Sequence, residues 1–298
     1  MLARCAISVE GRVVPRAHRD LPVVEGPSLR FVPLSETFRG YLSRTPLAYA
    51  MFRSAECREL ARLSIVRPTL DLGCGVGEVA EFSLARTGAE RACDVGVDLL
   101  ADRLAKARRS GGHAFLAKAD AAELPLANAS FASVVAVSVC EHFADPGRAL
   151  AEAYRVLLPG GKFVVTIVLA DFHRYMFYPR VCERLGLRWL ARRYRRLNDH
   201  AFGHQKLQGR DQWTRMITVA GFKIVDCRNI VPPRLTYWFD FWLLTAWPYK
   251  LMQRLGMRPL VWRPKWVQDC CWRWFESLLD DSETEGSTLF VVAEKPGA

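Results

Sequence analysis

Gly73, Gly75 and Gly77 alternate directly after the run Leu70-Asp71-Leu72, and Glu78 follows them. Glycine lets a chain turn sharply and lets a ligand approach main-chain N–H groups with no Cβ in the way. The apolar stretch Ser64 to Leu72 predicts a buried parallel strand, and Val79 to Ala85 predicts a helix. A glycine loop between such elements lies at the carboxyl edge of an α/β sheet, where these folds bind nucleotides. A dinucleotide fingerprint needs a glycine three residues after its second, and Glu78 stands there instead. A glutamate beside a pyrophosphate is electrostatically wrong, and Asp71 also suits a cation better than a phosphate. The ligand these residues suit is a nucleoside without phosphates that carries positive charge.

Further acids and histidines fall at strand ends. Asp98 closes the run Ala92 to Asp98, and a carboxylate there can accept from both hydroxyls of a ribose. Asp120 can accept from an adenine amino group, with the Ala121 N–H beside it for a ring nitrogen. His142 follows the predicted strand Phe131 to Ser138; His200 and His204 lie in Asn198-Asp199-His200-Ala201-Phe202-Gly203-His204. An imidazole near a reacting hydroxyl can take its proton, so all three are candidate bases. Each also has a plain alternative, His142 as a residue starting a helix and the other two as surface or capping histidines.

These stretches, in this order, resemble the class I S-adenosylmethionine-dependent methyltransferases with a type 11-like methyltransferase domain. Leu70–Glu78 is similar to the family's first motif, and Ala119-Asp120-Ala121-Ala122-Glu123-Leu124-Pro125-Leu126 to the stretch after its third strand. Glu141-His142 and Arg155-Val156-Leu157-Leu158-Pro159-Gly160-Gly161 are similar to the segments after its fourth strand and before its fifth. The likeness covers roughly residues 64–170 and weakens through Ala220-Gly221-Phe222 and Thr288–Glu294. It implies S-adenosylmethionine as cofactor, with Asp71 near the methionine ammonium. It also implies contacts from Gly73, Cys74, Gly75, Gly77, Asp98, Leu99, Asp120, Ala121 and Ser138. Cys74 is expected to pack rather than react. No metal site is expected, because the nine cysteines show no ligand spacing.

Elements must hold these residues. Helices are predicted near 78–87, 101–110 and 147–157. Strands are predicted near 66–72, 92–98, 114–119, 131–138 and 162–168, with Phe222–Cys227 and Thr288–Ala293 as the last two. This alternation predicts an α/β, doubly wound, mostly parallel seven-stranded sheet of Rossmann-like type. An aromatic-rich helical insertion, about 232–285, precedes the last strand. Residues 1–35 form an N-terminal arm with a hairpin around Glu10-Gly11, and 36–298 form the methyltransferase domain. Within that domain, Tyr41, Leu47, Tyr49, Met51, Phe52 and Leu60 lie on helices covering the cofactor.

The chain has 298 residues, half of them hydrophobic, and a formal net charge of +11. No uninterrupted apolar run reaches 18 residues and no leader is evident, so a cytoplasmic protein with reduced thiols is expected. Phe172 to Arg196 holds eight arginines against the single acid Glu183. Arg180, Arg184, Arg188 and Arg192 recur every four residues, a slowly drifting stripe on a helix. The stripe is either a solvated face or a contact for an anionic membrane surface, a phosphorylated substrate or RNA. Tyr237 to Tyr249 is dense in aromatic residues, either packing onto the sheet or forming a lid over an apolar acceptor, with Trp242 the residue to test. The leading function is methyl transfer to a small apolar, aromatic or lipid-linked acceptor, with peripheral membrane contact. The competing ones are a nucleic-acid methyltransferase, disfavoured because Ser138-Val139-Cys140-Glu141 replaces the expected Asn/Asp-Pro-Pro-aromatic stretch, and a non-catalytic cofactor-binding protein.

Overall fold

Apolar residues alternate along the strands so that each strand feeds two cores, one on either face of a single sheet. In the computed structural model Val135, Val137, Val164, Val168, Phe290 and Val292 face one core. Leu70, Leu72, Val134, Ala136, Phe163, Val165, Leu289 and Val291 face the other. The structure describes residues 6–9, 12–15, 30–85, 93–205, 207–246, 248–249, 252, 263–279 and 285–297.

A small antiparallel pair, β1 (Ala6–Val9) and β2 (Arg12–Pro15), comes first; Glu10 and Gly11, expected at its turn, lie outside the described residues. The short strand β3 (Arg30–Phe31) precedes α1 (Leu34–Arg44) and α2 (Leu47–Leu60). Then come β4 (Thr69–Leu72), α3 (Glu78–Phe82), β5 (Leu84–Ala85), β6 (Cys93–Asp98), α4 (Ala101–Ser110), β7 (His113–Lys118) and β8 (Phe131–Val137). A 3₁₀ turn, Cys140–His142, leads to α5 (Pro146–Val156) and β9 (Leu157–Val168). Four helices follow: α6 (Phe172–Tyr175), α7 (Phe177–Arg184), α8 (Arg188–Phe202) and α9 (Arg210–Val219). The chain then runs through β10 (Lys223–Ile230), α10 (Pro233–Leu243), α11 (Lys265–Leu278) and β11 (Thr288–Glu294).

The main sheet has seven strands in the order β10-β11-β9-β8-β4-β6-β7. Pairs among β9, β8, β4, β6 and β7 are parallel, whereas β11 runs antiparallel to both its neighbours. The order reverses beside β4, so the loop after β4 opens at the topological switch point, where such sheets bind ligands. Helices α1, α2, α10 and α11 pack on one face. Helices α5 and α9 cover the other, through Leu150, Ala153, Trp213 and Ile217.

Three expected boundaries move. The helix after the glycine loop ends at Phe82, not near 87, because Leu84–Ala85 instead pairs antiparallel with Arg30–Phe31. The strand β4 begins at Thr69 rather than 66; Pro68, just before it, has no N–H to give a ladder. The Pro159-Gly160-Gly161 segment is not a separate turn but part of β9, which starts at Leu157. The Gly160 N–H and Gly161 carbonyl there bond to Lys295, beyond β11.

The aromatic insertion is a packing device. Trp238 and Trp242 both meet Trp274 edge-on, at 5.3 and 6.2 Å between centroids, joining α10 to α11. Of the two readings, packing describes Trp242, whereas Phe239, on another side of α10, lines the aromatic cavity described below. Among the described residues no helix is long and apolar enough to cross a membrane.

Candidate active site

The glycine loop adopts the backbone its sequence requires. Gly73, Gly75 and Gly77 have φ of +75°, +58° and +83°, a region side-chain-bearing residues rarely enter. The Gly73 and Cys74 N–H groups bond the Val97 carbonyl, anchoring the loop to β6. A Cβ on Gly73 would strike Val139, and one on Gly77 would strike Ser110 and Ala107. At Gly75 a Cβ would meet nothing within 4 Å, so this glycine lines open space. That space is the cradle a cofactor needs.

Asp98 borders the cradle and organises it. Its carboxylate is 5% exposed and accepts from the Gly75 N–H at 3.0 Å and the Leu100 N–H at 2.8 Å. Leu99, beside it, is 56% exposed, an apolar residue left uncovered at the rim. Asp120 lies exposed after β7 and caps its own turn by accepting from the Ala122 N–H at 2.9 Å, with Ala121 buried next to it. These residues fit an adenosine with no phosphate. Asp71, expected near the methionine ammonium, stands one residue before the loop. It is buried within β4, bonded to His113 Nε2 at 2.9 Å, and lines a separate small cavity with Phe31, Leu60 and Val135. Its histidine partner lies two strands away and is visible only once the sheet is assembled.

Ser138 ends β8 with φ +45°, and its hydroxyl donates to Glu56 on α2 rather than standing free. The Thr166 hydroxyl donates to the same Glu56 oxygen at 2.8 Å, and Arg53 donates to the other oxygen at 2.9 Å. Glu56 is fully buried. It staples α2 to the carboxyl ends of β8 and β9, and α2 in turn places Tyr49, Phe52 and Arg53 over that edge. Sequence reasoning missed Glu56 and Arg53, because α2 also carries Arg58 and Glu59 and nothing in the sequence singles out Glu56 among them.

Under this cover lies a cavity of about 80 Å³. Tyr49, Phe52, Phe172, Phe202 and Phe239 form its aromatic wall; Ser138, Glu141, His142, His204 and Arg53 form its polar end. Phe239 is the hub, within 5.0 Å of Phe52, 5.9 Å of Phe172 and 6.1 Å of Phe202, centroid to centroid. The cavity adjoins the glycine loop, since Val139, between Ser138 and Glu141, is the side chain a Gly73 Cβ would strike.

Of the three candidate histidines the structure brings two together. His142 and His204 stack at 5.5 Å with 16° between their planes. His200 is exposed on α8 and does not line the cavity, because it stands one helical turn before the Gly203 reversal that carries His204 back. Burial holds the His142 imidazole down at about 4, so it is neutral at physiological pH. Glu141 is 3% exposed, and burial pushes its carboxyl up to about 8. Burial alone would raise Asp199, but hydrogen bonds from His173 and His204 outweigh it and hold that carboxyl at about 2.

Comparison with known proteins places this geometry. A family described as a methyltransferase domain matches residues 70–165. The ubiquinone biosynthesis O-methyltransferase of Bradyrhizobium sp. is 32% identical over 180 residues, 55% of this chain and 69% of that protein. The malonyl-[acyl-carrier protein] O-methyltransferase of Enterobacter lignolyticus is 35% identical over 128 residues, 42% of this chain and 45% of that protein. The chain thus spans less than half the length of this second relative. A Thermotoga maritima protein described as an S-adenosylmethionine-dependent methyltransferase, possible histamine N-methyltransferase, has a TM-score of 0.50 at 19% identity. The match covers 88% of this chain and all of that one, a likeness of fold.

Proposed function

The chain belongs to the S-adenosylmethionine-dependent methyltransferases, and from that premise we propose that it methylates an oxygen of a small, apolar, ring-bearing or lipid-linked acceptor seated in the aromatic cavity. One observation carries this: five aromatic rings and a polar end of Glu141, His142 and His204 share a cavity beside the glycine loop. When bound, S-adenosylmethionine supplies a methyl carbon whose bond to sulfur breaks as the acceptor oxygen bonds to it, the electron pair going to sulfur and the hydroxyl proton leaving.

The chain's own residues then have three tasks. Asp98, the Gly73–Gly77 backbone, Leu99 and Asp120 hold the nucleoside. The rings on α2, α6, α8 and α10 exclude water and set the acceptor's plane. The polar end receives the hydroxyl, and its proton departs there. Holding two reactants in line supplies on the order of 7–11 kcal/mol of the barrier. The cavity, about 80 Å³ and open on one side, is smaller than the ~150 Å³ that admits a benzene ring. A ring-bearing acceptor would therefore extend through its mouth or displace part of the cover. The relatives named above act, by their names, on a ubiquinone precursor and an acyl-carrier-bound malonyl group, and both are consistent with a lipid-linked or thioester-borne acceptor.

A lipid-linked acceptor also fits the surface of α7 and α8. Residues 183–189 are all exposed, with Leu185 at 69% and Trp189 at 62%, interleaved with Arg184 and Arg188. Among the described residues Arg184, Arg188, Arg192, Arg193 and Arg196 make no ion pair, whereas Arg195 pairs with Glu183. Apolar side chains among unpaired arginines suit an anionic lipid interface better than a phosphate backbone. The protein would then work peripherally on a membrane.

The test is incubation with methyl-labelled S-adenosylmethionine and fractionated extract. Label in an apolar, lipid-extractable product is expected. Tight cofactor binding with no labelled product in any fraction would leave a binding protein, and label in nucleic acid would favour the competing reading.

A further inference from the structure

We infer that Glu141, His142 and His204 form a divalent-cation site at the polar end of the cavity. The consequence for the acceptor rests on the methyltransferase reading of that cavity, but the existence of the site does not.

One ligand-type atom from each of the three residues lies within 4.8 Å of the other two. Ligand atoms around an ion with bonds near 2.1 Å stand roughly 3–4 Å apart, so small side-chain rotations close the set. The imidazoles already hold the tautomer it needs. His142 Nδ1 is 3.1 Å from the Gly203 carbonyl oxygen, which can only accept, so the proton sits on Nδ1 and Nε2 keeps its lone pair. His204 Nδ1 is 3.1 Å from Asp199 Oδ1, which selects the same tautomer. Metal-binding histidines are held in this way, with the second ring nitrogen donating to a backbone carbonyl or a carboxylate. Asp199 is itself fixed by His173 Nε2 at 2.8 Å.

Glu141 supplies the independent observation. Both of its carboxylate oxygens are buried and without a hydrogen-bond partner among the described residues. The nearest cationic group in the cavity wall, Arg53, already donates to Glu56. A buried polar group without a partner is costly, and a cation would supply one. Two imidazole nitrogens and one carboxylate oxygen make three protein ligands. That number leaves a coordination position open, the pattern of reactive rather than structural sites. Nitrogen and oxygen donors without thiolate suit Zn²⁺, Co²⁺ or Mn²⁺ over soft monovalent ions.

The open position faces the cavity. An acceptor hydroxyl bound there would lose its proton to solvent more readily, leaving the oxygen that attacks the methyl carbon. No sequence motif marks the site because His204 reaches it from the far end of α8. The reversal at Gly203, with φ +75°, brings it back over the 3₁₀ turn that carries Glu141 and His142.

The test uses the full-length protein stripped with a chelator and titrated with ZnCl₂ against a chromophoric competitor, with no acceptor present. One tightly bound Zn²⁺ per chain is expected. Glu141→Gln and His204→Asn should each weaken it by more than 100-fold, and Asp199→Asn, one shell out, on the order of 10–100-fold. S-adenosylmethionine affinity, measured in parallel, should stay within twofold and reports folding for each variant. If Glu141→Gln does not fold, His204→Asn carries the comparison. No stoichiometric Zn²⁺ uptake, or uptake unchanged in the folded variants, would overturn the site. Metal binding here together with no labelled product in the extract assay would instead sink the functional reading and leave the site standing.

Discussion

Removing the carboxylate of Glu56 should loosen the cover of the acceptor cavity more than any single aromatic contact in it. The group is fully buried and accepts from three donors: the Ser138 hydroxyl, the Thr166 hydroxyl at 2.8 Å and Arg53 at 2.9 Å. In Glu56→Ala the two hydroxyls lose a charged acceptor in a place water does not reach. The Ser138 hydroxyl is then stranded, whereas Thr166 Oγ1 still accepts from the Ser138 N–H. Arg53 is 32% exposed, so water can solvate part of its guanidinium and soften the loss. Breaking such a pair from one side costs about 3–5 kcal/mol. A domain of this kind has roughly 5–15 kcal/mol in total, so the variant should fold but unfold at clearly lower urea. Glu56→Gln keeps the shape and one acceptor oxygen, and should cost about 1–3 kcal/mol. Chemical denaturation reads both through the midpoint, provided the slope is unchanged. Cofactor affinity should survive, since Gly75 and Asp98 stand on other elements. A Glu56→Ala midpoint equivalent to less than 1 kcal/mol would refute the staple and leave α2 held by apolar packing alone.

Asp98→Ala should weaken S-adenosylmethionine binding by about 1–3 kcal/mol in calorimetry, because it strands the Gly75 and Leu100 N–H groups as well as the ribose; unchanged affinity in a folded variant would remove Asp98 from the site. Gly75→Val should weaken binding further, since its side chain would enter the cradle, and should cost about 1–3 kcal/mol of stability from its φ of +58°, its Cβ meeting no protein atom within 4 Å. Replacing Arg184, Arg188 and Arg192 together by glutamine should lower sedimentation with anionic vesicles, at about 1 kcal/mol per arginine near the surface. Binding of the parent should fade with salt, and a parent that ignores vesicles at low salt would return the stripe to a solvated face. Glu152→Gln tests a pH effect: its hydrogen bonds with Arg155 hold the carboxyl below its ordinary value. A depressed acid stabilises the fold above the unfolded value and loses that contribution as pH falls through the folded one. The variant should thus melt lower than the parent at pH 7, by about 1 kcal/mol after screening, and converge with it in acid; a gap independent of pH would mean shape, not charge.

The glycine-loop half of the candidate site was legible because its determinants are local. Gly73, Gly75 and Gly77 need positive φ within five residues, and Asp98 ends an apolar run whose strand identity is unambiguous. Asp71 shows the limit of that logic. Its type and place before the loop were legible, but its bond to His113, two strands away in the sheet, was not. In α10 aromatic residues occupy almost every position from Tyr237 to Trp242, so periodicity could not say which ring faces inward. The phase came out on Phe239, and Trp242 went to the α11 interface. Glu141 was passed over as half of a common dipeptide, since nothing in a sequence shows that a carboxylate will be buried without a donor.

The two halves of the site differ in what builds them, and this decides how the protein can diversify. The cofactor side is backbone and carboxylate on the rim of a sheet, where Gly73 abuts Val139 and Gly77 abuts Ala107, so few side chains fit. The aromatic cavity, where the acceptor is proposed to sit, is assembled from α2, α6, α8 and α10 by rings that touch one another and not the sheet's hydrogen bonds. Exchanging one ring for another of similar volume changes the cavity's shape at a modest cost, because volume-conserving apolar swaps are well tolerated. Glu56 is what allows that freedom. By fixing α2 to Ser138 and Thr166 through polar bonds, it holds the cover in register over the reacting edge whatever rings fill the space between.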